Sequence, residues 1–295
     1  MKVVLPKPGK YVVAVSGGVD SVVLLHMLGE IPDVELIVAH FDHGIRPDAA
    51  EDRVFVQALA RQHKQPFIYD EGRLGPKASE ATARSARYDF LNRVKQEQGV
   101  QAIITAHHQD DLLETAIINL LRGTGRKGLS ALADRPELRR PLLGVSKRDV
   151  LAYADKHQLQ WREDNTNSDE TYLRNYVRRR LLPRLGQKDR ARLLKTIKNS
   201  AVTNQEIDTL LVKYWLLTDE KTLDRQQFVA APHDVSVEIM AAWLRSAGIR
   251  DFDSKTLNRL VIAGKTARPG GRFDVLHAVS MRVNKDDLAL VGVER

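Results

Sequence analysis

One turn constrains this chain more than any other stretch. Ser16-Gly17-Gly18-Val19-Asp20-Ser21 stands between an apolar run, Tyr11-Val12-Val13-Ala14-Val15, and a helical pattern carried by Val22, Val23, Leu25 and Leu28. A strand that stops at two glycines and restarts as a helix lets backbone approach an oxyanion. Glycine permits φ > 0. The N–H groups opening the helix sit at the positive end of its dipole. Ser16 and Ser21 add hydroxyl donors. Asp20 is out of place beside an anion unless it holds a cation that bridges phosphates. The turn is not of the Walker type, because no Lys-Ser or Lys-Thr follows the last glycine. The plainer alternative is a serine-capped helix after a tight turn.

Strand and helix signals alternate through the first half. The pattern predicts strands near 11–15, 34–39, 66–69 and 101–106 and helices near 20–29, 48–63, 79–98 and 109–121. Apolar strands separated by helices imply βαβ units: an α/β fold with a doubly wound parallel sheet. Ligands of such sheets bind outside the carboxyl ends of the strands. There fall the Ser16–Ser21 turn, His40-Phe41-Asp42-His43 and His107-His108. Gly123 to Arg140 reads as a loop, followed by a helix near 146–157. Arg174 to Lys198 is strongly basic and reads as two helices broken at Pro183-Arg184-Leu185-Gly186, the second reaching about Leu217. Helices near 234–247 and 253–263 then precede alternating runs near 272–276, 279–284 and 287–292, a small α+β unit. The expected division is residues 1–185, a basic helical linker 186–217, and a smaller unit 218–295.

Net charge is +8 over 295 residues, more than an enzyme of small metabolites needs. Such an excess suggests a polyanion partner, nucleic acid first. No apolar run approaches the about 18 residues of a membrane span, so no membrane partner is expected. Met1 to Pro6 leads straight into a strand and is too short for a signal peptide, which suggests a cytoplasmic protein. There is no cysteine, which excludes disulfides, thiolate zinc sites, iron–sulfur ligation and a persulfide carrier within this chain.

A second constellation is Thr105-Ala106-His107-His108-Gln109-Asp110-Asp111-Leu112-Leu113-Glu114-Thr115, at a strand end opening a helix. His107, Asp111 and Glu114 share a helical face if the helix begins early. Three readings stay open: a site for Mg²⁺ rather than Zn²⁺, a helix-capping cluster, or a pocket whose carboxylates attract an ammonium while an imidazole takes its proton. Arg84 and Arg87 stand at i, i+3 on one helix face, suited to phosphate or to a solvated surface. Trp161-Arg162-Glu163-Asp164-Asn165-Thr166-Asn167 mixes groups that stack on and hydrogen-bond an unstacked base. Gly123-Thr124-Gly125-Arg126-Lys127-Gly128 matches a dinucleotide fingerprint but follows a helix, so that context fails. Gly264-Lys265-Thr266 lacks the upstream glycine of a Walker loop, since position 259 is Arg259.

The Ser16–Ser21 turn resembles the loop of the N-type ATP pyrophosphatases, the PP-loop superfamily, which split ATP into AMP and pyrophosphate. Further residues narrow this to a resemblance with the tRNA(Ile)-lysidine synthetases. They are His40 through Arg46, Glu80 through Tyr88, His107 through Thr115, Arg122-Gly123-Thr124-Gly125, Arg140-Pro141-Leu142-Leu143, Glu163 through Asn167, and Arg174 through Pro183. The tail from Gly264 to Leu288 looks like the end of the small C-terminal domain of shorter members; longer members carry a further domain, and tRNA contacts placed there are not carried over.

The resemblance implies a sheet of the adenine-nucleotide α-hydrolase type, and a ligase forming a C–N bond. It joins L-lysine to carbon 2 of the wobble cytidine in the CAU anticodon of tRNA(Ile), through an adenylated base. It further implies that Ser16, Gly17, Gly18, Val19, Asp20 and Ser21 bind the ATP phosphates, with Asp20 on Mg²⁺. Ala14 and His40 to Asp42 would flank adenine. Asp111 and Glu114 would hold lysine, with His107 near the reacting amine. Arg122 joins Asp20, His107, Asp111 and Glu114 as a catalytic expectation. Arg84, Arg87, Arg174, Asn175, Arg178 and Arg179 are expected to meet tRNA. The competing classes are sulfur transfer to tRNA from an external donor and a passive nucleotide or tRNA binder; the uninterrupted acids and histidines favour an enzyme.

Overall fold

A computed structural model describes residues 3–44, 49–75, 78–162, 173–215, 222–249, 252–276 and 279–292. The chain divides into two compact units, Met1–Ala201 and Val202–Arg295. No described helix is long and apolar enough to cross a membrane.

In the first unit, β1 (Gly9–Ala14), α1 (Val19–Gly29), β2 (Val34–Asp42), α2 (Ala49–Gln62), β3 (Phe67–Glu71), α3 (Glu80–Glu97), β4 (Ala102–Ile104) and α4 (Gln109–Leu121) alternate as the pattern predicts. β5 (Leu138–Arg139) and α5 (Lys147–Lys156) follow, then a short α6 (Leu173–Tyr176) and the long α7 (Gln187–Trp215), within which the division falls. The sheet order is β3-β2-β1-β4-β5 and every pairing is parallel. Successive side chains of a strand alternate faces. Tyr11, Val13 and Val15 meet Leu24, Leu25 and Leu28 of α1, Val56 of α2 and Val150 of α5 on one face. Val12, Ile37, Ala39 and Ile103 meet Phe90, Leu91 and Val94 of α3 on the other. Each buried aliphatic side chain contributes about 1.5–3 kcal/mol by leaving water, so an unbroken apolar run is stable only with both faces covered. The strand order reverses at β1, which opens a crevice beyond the carboxyl ends of β1 and β4.

Two local features differ from the sequence expectation. The loop from Gly123 to Arg140 contains β5, a two-residue edge strand beside β4. The basic stretch is not a plain helix to Pro183. α6 gives way to a π-helical turn, Val177–Leu181, and then a 3₁₀ turn, Leu182–Arg184. Pro183 has no N–H to donate and cannot continue an α-helix.

The second unit holds the end of α7, β6 (Thr222–Asp224), α8 (Arg225–Ala230), α9 (His233–Ser246), α10 (Ser254–Thr266), β7 (Arg272–Leu276), β8 (Val279–Val283) and β9 (Asp287–Val291). Its antiparallel sheet has the order β6-β9-β8-β7. Phe228, Trp243, Leu260, Met281 and Leu288 form its core. The Arg225 guanidinium donates to the carbonyls of Gly264, Ala267 and Asn284, tying the end of α10 to the β8–β9 turn.

Three imidazoles meet where helices of the first unit end. His26 lies in the last turn of α1, His63 follows α2, and His157 caps α5. The His26 ring centroid stands 5.8 Å from that of His63 and 5.0 Å from that of His157. His26 Nδ1 is 3.1 Å from the Tyr153 hydroxyl, and Glu30 lies 3.9 Å from its Nε2. Burial lowers the pKa of His26 and, with the His26 charge, that of His63. Below the unfolded value near 6.5 the unfolded chain binds protons that the folded chain refuses, so stability falls with pH from there down to the folded values. Thermal melts are expected to drop between pH 7.5 and 5.5. His26→Gln should flatten that slope without abolishing it, because His40 and His107 are also depressed.

Candidate active site

A cavity of about 650 Å³ opens at the carboxyl ends of β1, β2 and β4. The Ser16–Ser21 turn forms one wall. Val15 N donates to Ala39 O at 2.9 Å, carrying the sheet pairing one residue past β1. Gly17 then adopts φ +94, a left-handed conformation that favours glycine. Gly18 does not: it is the N-cap of α1, extended at φ −71 and ψ 157. The expectation of positive φ therefore holds for one glycine, because an N-cap residue takes β-region angles. Ser21 is buried, accepts from Ser16 N at 3.2 Å and donates to Gly18 O at 2.8 Å. Its proton braces the turn, whereas Ser16 is exposed at the cavity. His40 Nδ1 lies 2.9 Å from Val15 O and steadies the same strand end.

Asp20, the second residue of α1, does not stand alone. Lys147 Nζ lies 2.7 Å and 2.8 Å from its two oxygens, and His108 Nε2 lies 3.7 Å away. Lys147 was not among the expected site residues. Its signal was faint: a lysine opening a helix runs against the dipole, a cost that a nearby carboxylate offsets. Among the described residues no cluster of three acids or histidines is arranged to hold a metal. A single carboxylate such as Asp20 fits Mg²⁺ all the same, because that ion completes its shell with phosphates and water.

α4 begins later than the shared-face expectation required. His108 is its N-cap: its Nδ1 accepts from Asp110 N at 3.2 Å, and Asp111 Oδ2 accepts from His108 N at 2.9 Å. His107 thus precedes the helix, yet it lines the cavity with Asp111 and Glu114. Its Nδ1 is 2.8 Å from Thr105 Oγ1. Burial, then the charges of Arg140, Arg87 and Arg84, holds its pKa well below the usual value. That depression makes His107 a weaker base than a free imidazole.

Glu114 is only 1% exposed, and burial pushes its carboxyl up to about 7 against the pull of Arg178. Arg178 bridges the acids, with Nε 2.8 Å from Glu114 and Nη2 3.0 Å from Asp111. Arg174 pairs with both Glu114 and Glu80. Arg190 lies 2.7 Å from Asp110. Two of the arginines expected to meet tRNA are therefore engaged with the acids expected to meet lysine. Arg84 and Arg87 lie over the Tyr88 ring at 4.9 Å and 5.5 Å and also line the cavity.

Ala14, Ser16, Gly18, Asp20, Ser21, His40, Asp42, Arg174, Asn175 and Arg178 also line the cavity; Arg122, the C-cap of α4, and Arg179 lie outside that lining. Trp161 packs against the core on the α1 face, and Arg162, which also lines the cavity, ion-pairs with Asp52 and Glu51 at 2.5 Å and 2.9 Å. Glu163 to Asn167, and Ile45 with Arg46, fall outside the described residues. Gly123–Gly128 follows α4 and holds a 3₁₀ turn, as its rejection as a dinucleotide fingerprint implies.

The PP-loop domain family matches residues 2–185. A tRNA(Ile)-lysidine synthase of Burkholderia mallei is 32% identical over 303 residues, covering 96% of this chain and 62% of that protein. One from Thermotoga maritima is 33% identical over 236 residues, 77% of this chain and 56% of that one. The bifunctional protein TilS/HprT of Listeria monocytogenes is 36% identical over 196 residues, 62% of this chain and 30% of its own length. The chain thus spans 30% to 62% of the length of these relatives. Among solved structures, the U34-tRNA thiolase NcsA of Methanococcus maripaludis, described with its 4Fe–4S cluster, superposes with a TM-score of 0.55 at 18% identity, over 66% of this chain and 73% of that one. That likeness speaks to the fold.

Proposed function

The chain belongs to the PP-loop family, and from that premise we propose that it ligates L-lysine to carbon 2 of the wobble cytidine of a CAU-anticodon tRNA(Ile), at the cost of ATP. One observation carries the reading. A single cavity joins the glycine turn to the acids Asp111 and Glu114, so an activated phosphate and a cationic amine can meet there.

Two displacements are needed. The cytidine O2 attacks the α-phosphorus, the bond to the β-phosphate breaks, and its electron pair leaves on pyrophosphate. A poor leaving oxygen becomes AMP. The lysine Nε then attacks carbon 2, AMP departs, and the amine proton goes to a base. The Ser16–Gly18 backbone would orient the phosphates, and Arg84 and Arg87 would meet phosphate groups of ATP or RNA. Asp20 is the carboxylate for Mg²⁺, whose charge, when bound, offsets that of the phosphates. Asp111 and Glu114 receive the ammonium. Glu114, near 7, suits the proton transfer better than neutral His107. RNA phosphates are the anions able to draw Arg174 and Arg178 off the acids. We assign the chemistry to residues 1–185 and further tRNA contact to the unit beyond 218.

The test incubates the chain with radiolabelled lysine, ATP and a CAU-anticodon tRNA(Ile) transcript. Label in the RNA at the wobble position, with one AMP and one pyrophosphate per label, is the expected result. RNA binding that needs no ATP and leaves no label would favour a passive binder.

A further inference from the structure

We propose that Lys188, Arg192 and Lys195, an exposed stripe on α7, form the surface along which an RNA backbone lies. This stripe, rather than the second unit, carries the electrostatic part of RNA binding. The proposal rests on the RNA substrate proposed above and adds a surface outside the cavity.

The charge of this chain is concentrated. Residues 1–201 carry the whole net charge of +8, and acids match the lysines and arginines of residues 202–295 one for one. Within the first unit the excess narrows further. Arg174 to Lys198 holds ten lysines and arginines and one acid, Asp189, so the rest of the chain is nearly neutral. Arg174, Arg178 and Arg190 are engaged by Glu80, Asp110, Asp111 and Glu114. The stripe on α7 is not so engaged. Arg192 lies 3.6 Å from Asp189 and is 81% exposed, and no ion pair with a described acid holds Lys188 or Lys195.

Helix geometry puts the three cations together. With 3.6 residues per turn, Lys188, Arg192 and Lys195 fall within about 60° of arc. Ile197 stands on the opposite side, buried with Leu113, Ala116 and Ile118 of α4. Lys188 is in the first turn, where a cation opposes the helix dipole, so folding alone does not call for it. A membrane-binding helix would bury the apolar side that α7 instead packs on α4. A protein interface would centre on large apolar or aromatic anchors. Between Lys188 and Lys198 no large apolar side chain is exposed; on α7 these begin at Val202. A row of separate cations without an apolar centre suits a chain of phosphates. Lys188 and Lys195 are about 10 Å apart along the axis, so successive phosphates of one strand can meet them. The helix beneath the stripe, α4, is the one that bears Asp111 and Glu114.

The test uses the full chain and a CAU-anticodon tRNA(Ile) transcript, with binding read by fluorescence anisotropy across a series of salt concentrations. Lys188→Gln, Arg192→Gln and Lys195→Gln combined should lower the slope of log affinity against log salt by about two to three, near one per lost phosphate contact. Each substitution alone should take about a third of that effect, which keeps the test open if the triple variant melts early. Lys188→Arg with Lys195→Arg keeps the charge and should keep the slope. Lys255→Gln, Arg282→Gln and Lys285→Gln combined remove the same charge from exposed positions of the second unit and should change the slope by less than about one. ATP titrations without RNA should match wild type throughout. An unchanged slope in the α7 variants overturns the proposal and leaves the ligase reading standing. An equal loss in the second-unit variant also overturns it, as an effect of bulk charge. So does loss of binding to phosphatidylserine vesicles with the RNA slope intact, which would mark a lipid surface. A wild-type protein that binds no RNA overturns both readings.

Discussion

Asp20→Ala is expected to slow ATP-dependent pyrophosphate release by about a hundred- to a thousandfold, the usual cost of removing one preorganised electrostatic contact at a phosphate. The carboxylate lines the cavity beside the turn. Its loss also frees Lys147 from its partner. Ground-state attraction for ATP should therefore survive or rise, while turnover collapses. A kcat effect with little change in KM separates this role from simple binding. Asp20→Asn keeps the shape and should fall nearly as far, because charge rather than volume is at stake. Quenched-flow measurement of pyrophosphate with saturating tRNA checks it; near-normal release in either variant removes Asp20 from the mechanism. Affinity for tRNA, read by filter binding, should stay within about threefold of wild type, since no ribose or base contact is assigned to this residue.

What the sequence made legible follows from range. The turn, the strands and the helices before Leu121 are written in local pattern: apolar runs, serine caps and two glycines. The βαβ connectivity places the motifs at the carboxyl ends of the strands, where ligands of such sheets bind, while the strand order that puts the crevice at β1 came with the fold. Long-range charge pairing came with the fold too. Lys147 and Asp20 are 127 residues apart, and Arg178 and Glu114 are 64 apart. No periodicity links such positions. The start of α4 was also beyond local rules, because His108 caps it with a ring nitrogen rather than with the side-chain oxygen of a Ser, Thr, Asp or Asn. That shift of one or two residues takes His107 off the helix, though it still lines the cavity with Asp111 and Glu114. Arg122 and Arg179 lie in motif stretches that line up with the family, yet neither is among the residues lining the cavity.

Glu114→Gln is expected to leave the first half-reaction intact and to cut lysine transfer by about a hundred- to ten-thousandfold, the range for a lost general base. The variant is isosteric, and its amide oxygen can still accept from Arg178, so a general collapse of α4 is not anticipated. Normal pyrophosphate release with accumulation of adenylated tRNA would mark the block at the second step. The pH profile is the sharper readout. Burial raises the Glu114 carboxyl to about 7, so below that value the folded site holds a proton and cannot take another. Lysine transfer in the wild type should therefore fall as pH drops through about 7, and the variant should lose that inflection. Arg178 gives the device its direction. Its guanidinium, 2.8 Å from Glu114, opposes the effect of burial and keeps the carboxyl ionised more readily than an unpaired acid would be. Arg178→Gln should then shift the inflection of lysine transfer to higher pH, toward the value set by burial alone; an unmoved inflection in that variant would separate the arginine from the proton transfer.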